Sequence, residues 1–446
     1  MNKAVAKRVA MGSVFVLMLL AGVLPAQAAI PGETGTQFNL VAKEGFVSAP
    51  DGGSIYSWGY ALDNGLMQYP GPTLILNQGD VITVTLKNEL PQPAGNVSIV
   101  FPGHLVTAAG GAAGAMTQEA PPDGVTAVTY TFTATNAGTY TYYSGTRPDL
   151  QVEMGLVGAI IVRPAGFDHM NPRAYAHDGT QYRYEHLFLL TEMDPRTHQA
   201  VASGIYTVDT ANFFPVYWFI NGRCAPDTML PDNVPWLPNQ PYGAMARTVP
   251  GEKVLLRVIG GGRDLHPFHH HGNNSLIIAR DGRLLESAPG TGPDLAVSDF
   301  TISSVPGATV DALFMWTGEK LGWDVYGTGI EYEHSCNGIS VNDPNPVSDG
   351  FDPVTKEYCP DHGKPFPVIL PEQQEVTFGG QFSGSPFLGV VDALPPGQGG
   401  LNPNGGFFFM WHSHNEKELT NNDIFPGGMM THIVIEPPGT QIDGGH

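Results

Sequence analysis

The sequence predicts an all-β fold made of stacked antiparallel sheets, and three observations carry that expectation. Gly and Pro are abundant, 56 and 39 among 446 residues, while charged residues are only 14%. Short β-branched or aromatic runs recur between turn signals, as in sandwich proteins. Past the N-terminal leader no long 3.6-residue apolar period appears, so no long amphipathic helix is expected.

Taken in order, the chain opens on Lys3, Lys7 and Arg8, then "VFVLMLLAGVL" and the small-residue stretch "AQA" ending at Ala28. This has the layout of a secretory signal, so residues 1–28 are expected to be removed and the protein to be secreted or periplasmic. No later apolar run reaches the eighteen or so residues of a bilayer-spanning helix. Formal charge is −21. Such a field disfavours nucleic acid and anionic lipid and attracts cations.

Strand candidates in the first half are "DVITVTLKNEL", "AVTYTFTA", "GTYTYYS" and "LVGAIIVRP". Those in the second include "EHLFLLTEMD", "VYWFING", "EKVLLRVIGGG", "NSLIIARDG", "ATVDALFMW", "GFFFMWHSH" and "MMTHIVIEPP". The halves echo each other: "NQGDVITVTLKNEL" parallels "VPGEKVLLRVIGGG", and "GLVGAIIVRP" parallels "GGMMTHIVIEPP". Two copies of one sandwich are therefore expected, at 29–165 and 185–446, joined by the turn-rich segment 166–184. The second copy carries a Gly-, Pro-, Asp- and Asn-dense insertion at about 326–404, longer than a compact domain normally tolerates without a purpose.

Three cysteines allow one intrachain disulfide, and Cys336 with Cys359, in the same insertion, is the expected pair. Cys224 is then a free thiol, expected to be a small core residue.

The strongest chemical signal is "LHPFHHHGN", which holds His266, His269, His270 and His271, together with "MWHSHNEKE", which holds His412 and His414. On a strand, side chains alternate with period two, so His269 and His271 share a face, as do His412 and His414, while His270 points the other way. Two His-x-His pairs converging from separate strands suit copper, zinc or iron. His104, Tyr143, Asp149 and Glu153 are weaker candidates, each more readily read as an exposed, packed or solvated residue than as a ligand. His432 reads as structural, and Met429 and Met430 as core or strand-start residues.

The segments "YPGPTLILNQGDVITVTLKNEL", "HPFHHHGNNSLIIARDG", "WHSHNEKE" and "GLVGAIIVRP" resemble the signature segments of multicopper oxidases, the laccase-like proteins built from cupredoxin domains. The resemblance implies two cupredoxin-like Greek-key sandwiches, one or two copper ions, and His266 as a type 1 ligand. It places His269, His271, His412 and His414 in a copper cluster that reduces dioxygen. It also implies a small-molecule or metal-ion reductant, such as a phenol, and a homotrimer in which Tyr143 and His104 of one subunit face the histidines of the next.

The departures are as informative. Val100 and Pro102 stand at the first pair of expected histidines, Tyr143 and Gly145 at the second, and none of Val, Pro or Gly offers a donor. Ser413 occupies the place of the type 1 cysteine, whose thiolate couples copper to the electron-transfer path. Glu418 occupies that of a histidine, while Met429 aligns with the axial thioether. A residual His-rich site without blue copper is expected, on either a copper-dependent oxidase or a non-catalytic copper-binding, carrier or structural protein. Zinc is an alternative ion.

Overall fold

The computed structural model describes residues 30–316, 387–389, 406–436 and 440–442. The expected leader at 1–28, the Cys336–Cys359 pair and most of the insertion at about 326–404 lie outside them.

Two cupredoxin-like sandwiches account for the fold, as the sequence predicts. In the first, a five-stranded sheet runs in the order Ser54–Leu62, Gln37–Ser48, Val81–Asn88, Val128–Thr133, Thr107–Gly110. It faces a four-stranded sheet ordered Glu33–Thr34, Gly71–Asn77, Val157–Arg163, Gly138–Tyr143. Val81–Asn88 shows why: Ile82, Val84 and Leu86 point inward and are fully buried, while Val81 and Lys87 face water. They meet Trp58, Tyr60, Tyr130 and Phe132 in one core.

In the second sandwich, one sheet orders Tyr217–Ile220, Tyr184–Met193, Lys253–Gly260, Thr309–Met315, Ser275–Arg280 and Arg283–Leu284, with Val297–Asp299 paired to Ser275–Arg280. The facing sheet orders Ala246–Thr248, Met430–Ile435, Gly406–Ser413, His266–His270 and Thr301–Ser304, with Phe387–Gly389 on the edge of Gly406–Ser413. Between them lie Phe188, Trp218, Phe268, Phe409, Trp411 and Met429.

Two strands break the in–out alternation because both their faces are covered. Every residue of Val157–Arg163 and of Tyr184–Met193 is buried. One face of each serves its own sandwich; the others meet in an apolar seam where Ile75, Ala159 and Ile161 pack on Leu187, Leu189 and Ile259.

A buried ionic network lies beside this seam. Arg163 forms a bidentate pair with Glu185, whose Oε2 also accepts from Arg257 Nε at 3.0 Å. Arg257 Nη1 donates to Thr139 Oγ1 at 2.9 Å and lies 3.6 Å from Asp311, which accepts from Tyr175 Oη at 2.6 Å. Two cations face two anions. The charges compensate, and the network ties Thr139 and Arg163 of the first sandwich to Glu185, Arg257 and Asp311 of the second.

Cys224 is free and fully buried among Val47, Met67, Tyr69 and Phe219, with a thiol pushed well up by burial, so it is a core residue.

Candidate metal centre

The outer face of the sheet that carries both histidine motifs forms the centre. His269 lies directly opposite His412 in the ladder, and His270 opposite Trp411, so His269 and His412 share the outer face. His270 turns into the core, fully buried near Phe314 and Trp411, its ring nitrogen Nε2 accepting from Ser275 N at 3.1 Å. His271 ends the run, and Gly272 follows with φ +103, which side-chain-bearing residues rarely adopt. A Cβ there would also meet the Phe409 ring at 3.1 Å, so glycine lets the chain turn away immediately after the last ligand candidate.

His269, His271 and His412 are buried, and each brings a donor atom within 4.8 Å of the other two. His412 Nε2 and His271 Nε2 are 3.1 Å apart. Two nitrogens bound at about 2.0–2.1 Å to one ion with a tetrahedral or tetragonal angle stand about 3 Å apart, so this spacing fits a shared metal.

The remaining ring atoms are held as ligands require. His412 Nδ1 lies 2.6 Å from the Ser413 carbonyl, which can only accept, so Nδ1 carries the proton and Nε2 presents its lone pair. Thr301 Oγ1 holds His269 Nδ1 at 3.0 Å, and the buried Nε2 of His269 has no hydrogen-bond partner. Burial, then repulsion from His271, His412 and His414, lowers His269 to about 3. Burial also leads in lowering His412 to about 4. Both are neutral near pH 7 and ready to coordinate. His414 is exposed at the rim, its ring 4.8 Å from that of His269.

The residues aligned with a type 1 site have partners of their own within the protein. His266 is fully buried, its Nε2 2.8 Å from Glu192 Oε2 and its Nδ1 2.9 Å from Glu418 Oε2. Both ring nitrogens are therefore engaged by carboxylates. Burial alone would lower this imidazole, but the hydrogen bonds and charges of Glu192 and Glu418 raise it to about 9. The two carboxylates thus favour the protonated form of the ring that the resemblance aligns with a copper ligand. Ser413 Oγ accepts from Asn415 N at 3.2 Å, and Met429 packs in the core.

A folded value near 9 against an unfolded 6.5 means that the clamp stabilises fully below pH 6.5 and ceases to do so as pH rises through about 9. The gap corresponds to about 3 kcal/mol. Denaturant midpoints measured from pH 6 to 10 should fall accordingly, and a flat profile would refute the charged clamp.

The other sequence candidates are not gathered into this centre. His104 sits between Phe132 and Tyr140, with ring centroids at 4.7 and 4.5 Å, and burial lowers it to about 4. Tyr143 lines a groove with Thr141, Gly261 and Arg263. Asp149 accepts from Thr210 Oγ1 at 2.9 Å, and Glu153 is buried 3.5 Å from His198 Nε2. Sequence reasoning missed Thr301 and Glu192. Glu192 did leave a signal, an acid inside the apolar run "EHLFLLTEM".

Residues 61–166 match the family model described as multicopper oxidase. The blue copper oxidase from Nitrosomonas europaea has a similar fold, covering 90% of this chain and 86% of its own at 18% identity, with a TM-score of 0.53. The multicopper oxidase mgLAC covers 91% of this chain and 87% of its own at 16% identity, with a TM-score of 0.52. No curated protein matches the sequence. Among the described residues no helix is long and apolar enough to cross a membrane. Residues 61–166 thus match a model of the family that the motifs resemble, and the chain shares the fold of those two solved copper oxidases.

Proposed function

We propose that this chain is a copper-binding oxidoreductase with one mononuclear centre at His269, His271 and His412, with His414 at its rim and no blue copper. The observation that carries the reading is the trio of buried imidazoles whose donors lie within 4.8 Å of one another. Bound there, copper would supply one-electron exchange between a small reductant, a phenol or metal ion, and dioxygen. The residues around it have separable tasks. Ser413 O and Thr301 hold the rings in their ligating orientation, and the His414 side is open to solvent, so substrate has access there without a relay. The His266 clamp cannot change oxidation state, so no second redox centre is expected at that position.

On the same reading residues 1–28 direct export to the periplasm or exterior, the sandwiches divide at 166–184, and the subunits assemble as trimers in which Tyr143 and His104 of one subunit face the histidines of the next. A non-catalytic copper carrier is the second reading, favoured by the net charge of −21, which concentrates cations at the surface.

Copper counting with electron paramagnetic resonance after Cu(II) loading tests the proposal. One equivalent with a tetragonal, nitrogen-coordinated signal and no intense blue absorption is expected. Less than half an equivalent sinks it. Oxygen uptake with phenols or ferrous iron that disappears in His269→Ala separates the oxidase from the carrier.

A further inference from the structure

The outer face of the same sheet continues past the three histidines into sulfur. Met430 lies opposite His412, and Met410 lies opposite His432, so these side chains share the histidines' face. From outside the sheet, Met229 comes down on this row. It closes the short turn Asp227–Met229, and Thr228 Oγ1 fixes that turn by donating to Met430 O at 2.7 Å. The contact that results is Met229 Sδ at 2.7 Å from His432 Nδ1. The His432 ring is stacked on Phe408 at 4.1 Å, and the imidazole is buried, whereas Met229, Met410 and Met430 are only partly covered.

A thioether and an imidazole nitrogen facing each other are a donor pair of definite character. Thioethers are soft ligands that favour Cu(I) over Cu(II) or Zn(II), and the imidazole is compatible with the same ion. The pair is preorganised on one side only. His432 is fixed by its strand and by Phe408, while Met229 has three rotatable side-chain bonds and can swing to let an ion between the two donors. The three methionines are partly exposed, so an ion can approach them from solvent.

We propose that Met229 and His432, flanked by Met410 and Met430, form a second, soft metal site that binds Cu(I) beside the three-histidine centre. It shares a sheet face with that centre but no ligand, and it stands or falls separately from the function proposed above. Binding involves no change of oxidation state; the ion arrives as Cu(I) and is held as Cu(I).

The test is anaerobic titration of the full chain with Cu(I) against a colorimetric cuprous chelator, with Ag(I) as a redox-inert probe, and X-ray absorption of the loaded protein. The native chain is expected to take up two monovalent equivalents and to show a sulfur shell. Met229→Leu, which keeps the apolar volume, should lose one equivalent or weaken it at least tenfold, with unchanged thermal stability of the metal-free protein. The double variant His269→Ala/His412→Ala should lose the other equivalent and keep the sulfur shell. An absent sulfur shell, or Cu(I) and Ag(I) counts identical in native and Met229→Leu protein, would reduce the pair to a packing contact and overturn the site. A failure of the three-histidine reading is seen separately, as a missing Cu(II) signal with the sulfur-bound Cu(I) still present.

Discussion

Glu185→Ala is expected to destabilise the protein by about 3–5 kcal/mol, the range for removing one partner of a buried ion pair. Glu185 is the shared anion of two buried guanidiniums, Arg163 and Arg257. Truncating it leaves Arg257, fully buried, with only Asp311 at 3.6 Å to offset its charge. Burial by itself would raise the Glu185 carboxyl, yet the two arginines and their hydrogen bonds hold it at about 2, against an ordinary 4.5. Because the folded value is the lower one, this contribution is present above pH 4.5 and is lost as pH falls through about 2. Urea midpoints at pH 7 measure the first effect. Native protein should also lose more stability between pH 5 and 2 than Glu185→Ala does. A variant within 1 kcal/mol of native would show that the arginines find other partners.

His412→Ala should weaken Cu(II) binding by about 100-fold or more. A four-ligand structural zinc site is worth roughly 10–16 kcal/mol, so one imidazole accounts for about 3 kcal/mol. The variant removes the ring whose Nε2 sits 3.1 Å from His271 Nε2, leaving two imidazoles of the three. Copper at 100 times its dissociation constant stabilises the native fold by about 2.7 kcal/mol, and the variant should show almost none of this rise in thermal midpoint. His414→Ala, at the exposed rim, should lose far less. Equal Cu(II) affinity in His412→Ala and native protein would exclude the three-histidine centre.

The fold was legible where one face of a strand meets water. Val81–Asn88 alternates, and its sheet followed from that pattern. Tyr184–Met193 and Val157–Arg163 carry no alternation, since both faces are covered, and periodicity alone could not say by what. The histidine faces were equally legible: period two put His269 with His271 on one face and His270 on the other, and the ladder then set His269 opposite His412. Partners were not. Glu192 and Glu418 reach His266 from 74 and 152 residues away, and nothing local marks an acid as the mate of a distant imidazole. The charges that interrupt apolar strands, Glu185, Glu192, Arg257 and Asp311, are visible in the sequence as anomalies. Only the packing of strands against one another reveals that each neutralises another.

The apolar seam between the sandwiches has a mechanical consequence. Since Ile161 and Ala159 on one side pack against Leu187, Leu189 and Ile259 on the other, each half in isolation would uncover these side chains. Cleaving the connection near residue 170 need not release two soluble pieces, and either half produced alone would present a sticky apolar surface prone to self-association. Melting should accordingly be a single cooperative event, and a loss of packing in one half would be transmitted across the seam to the strands that carry the histidines.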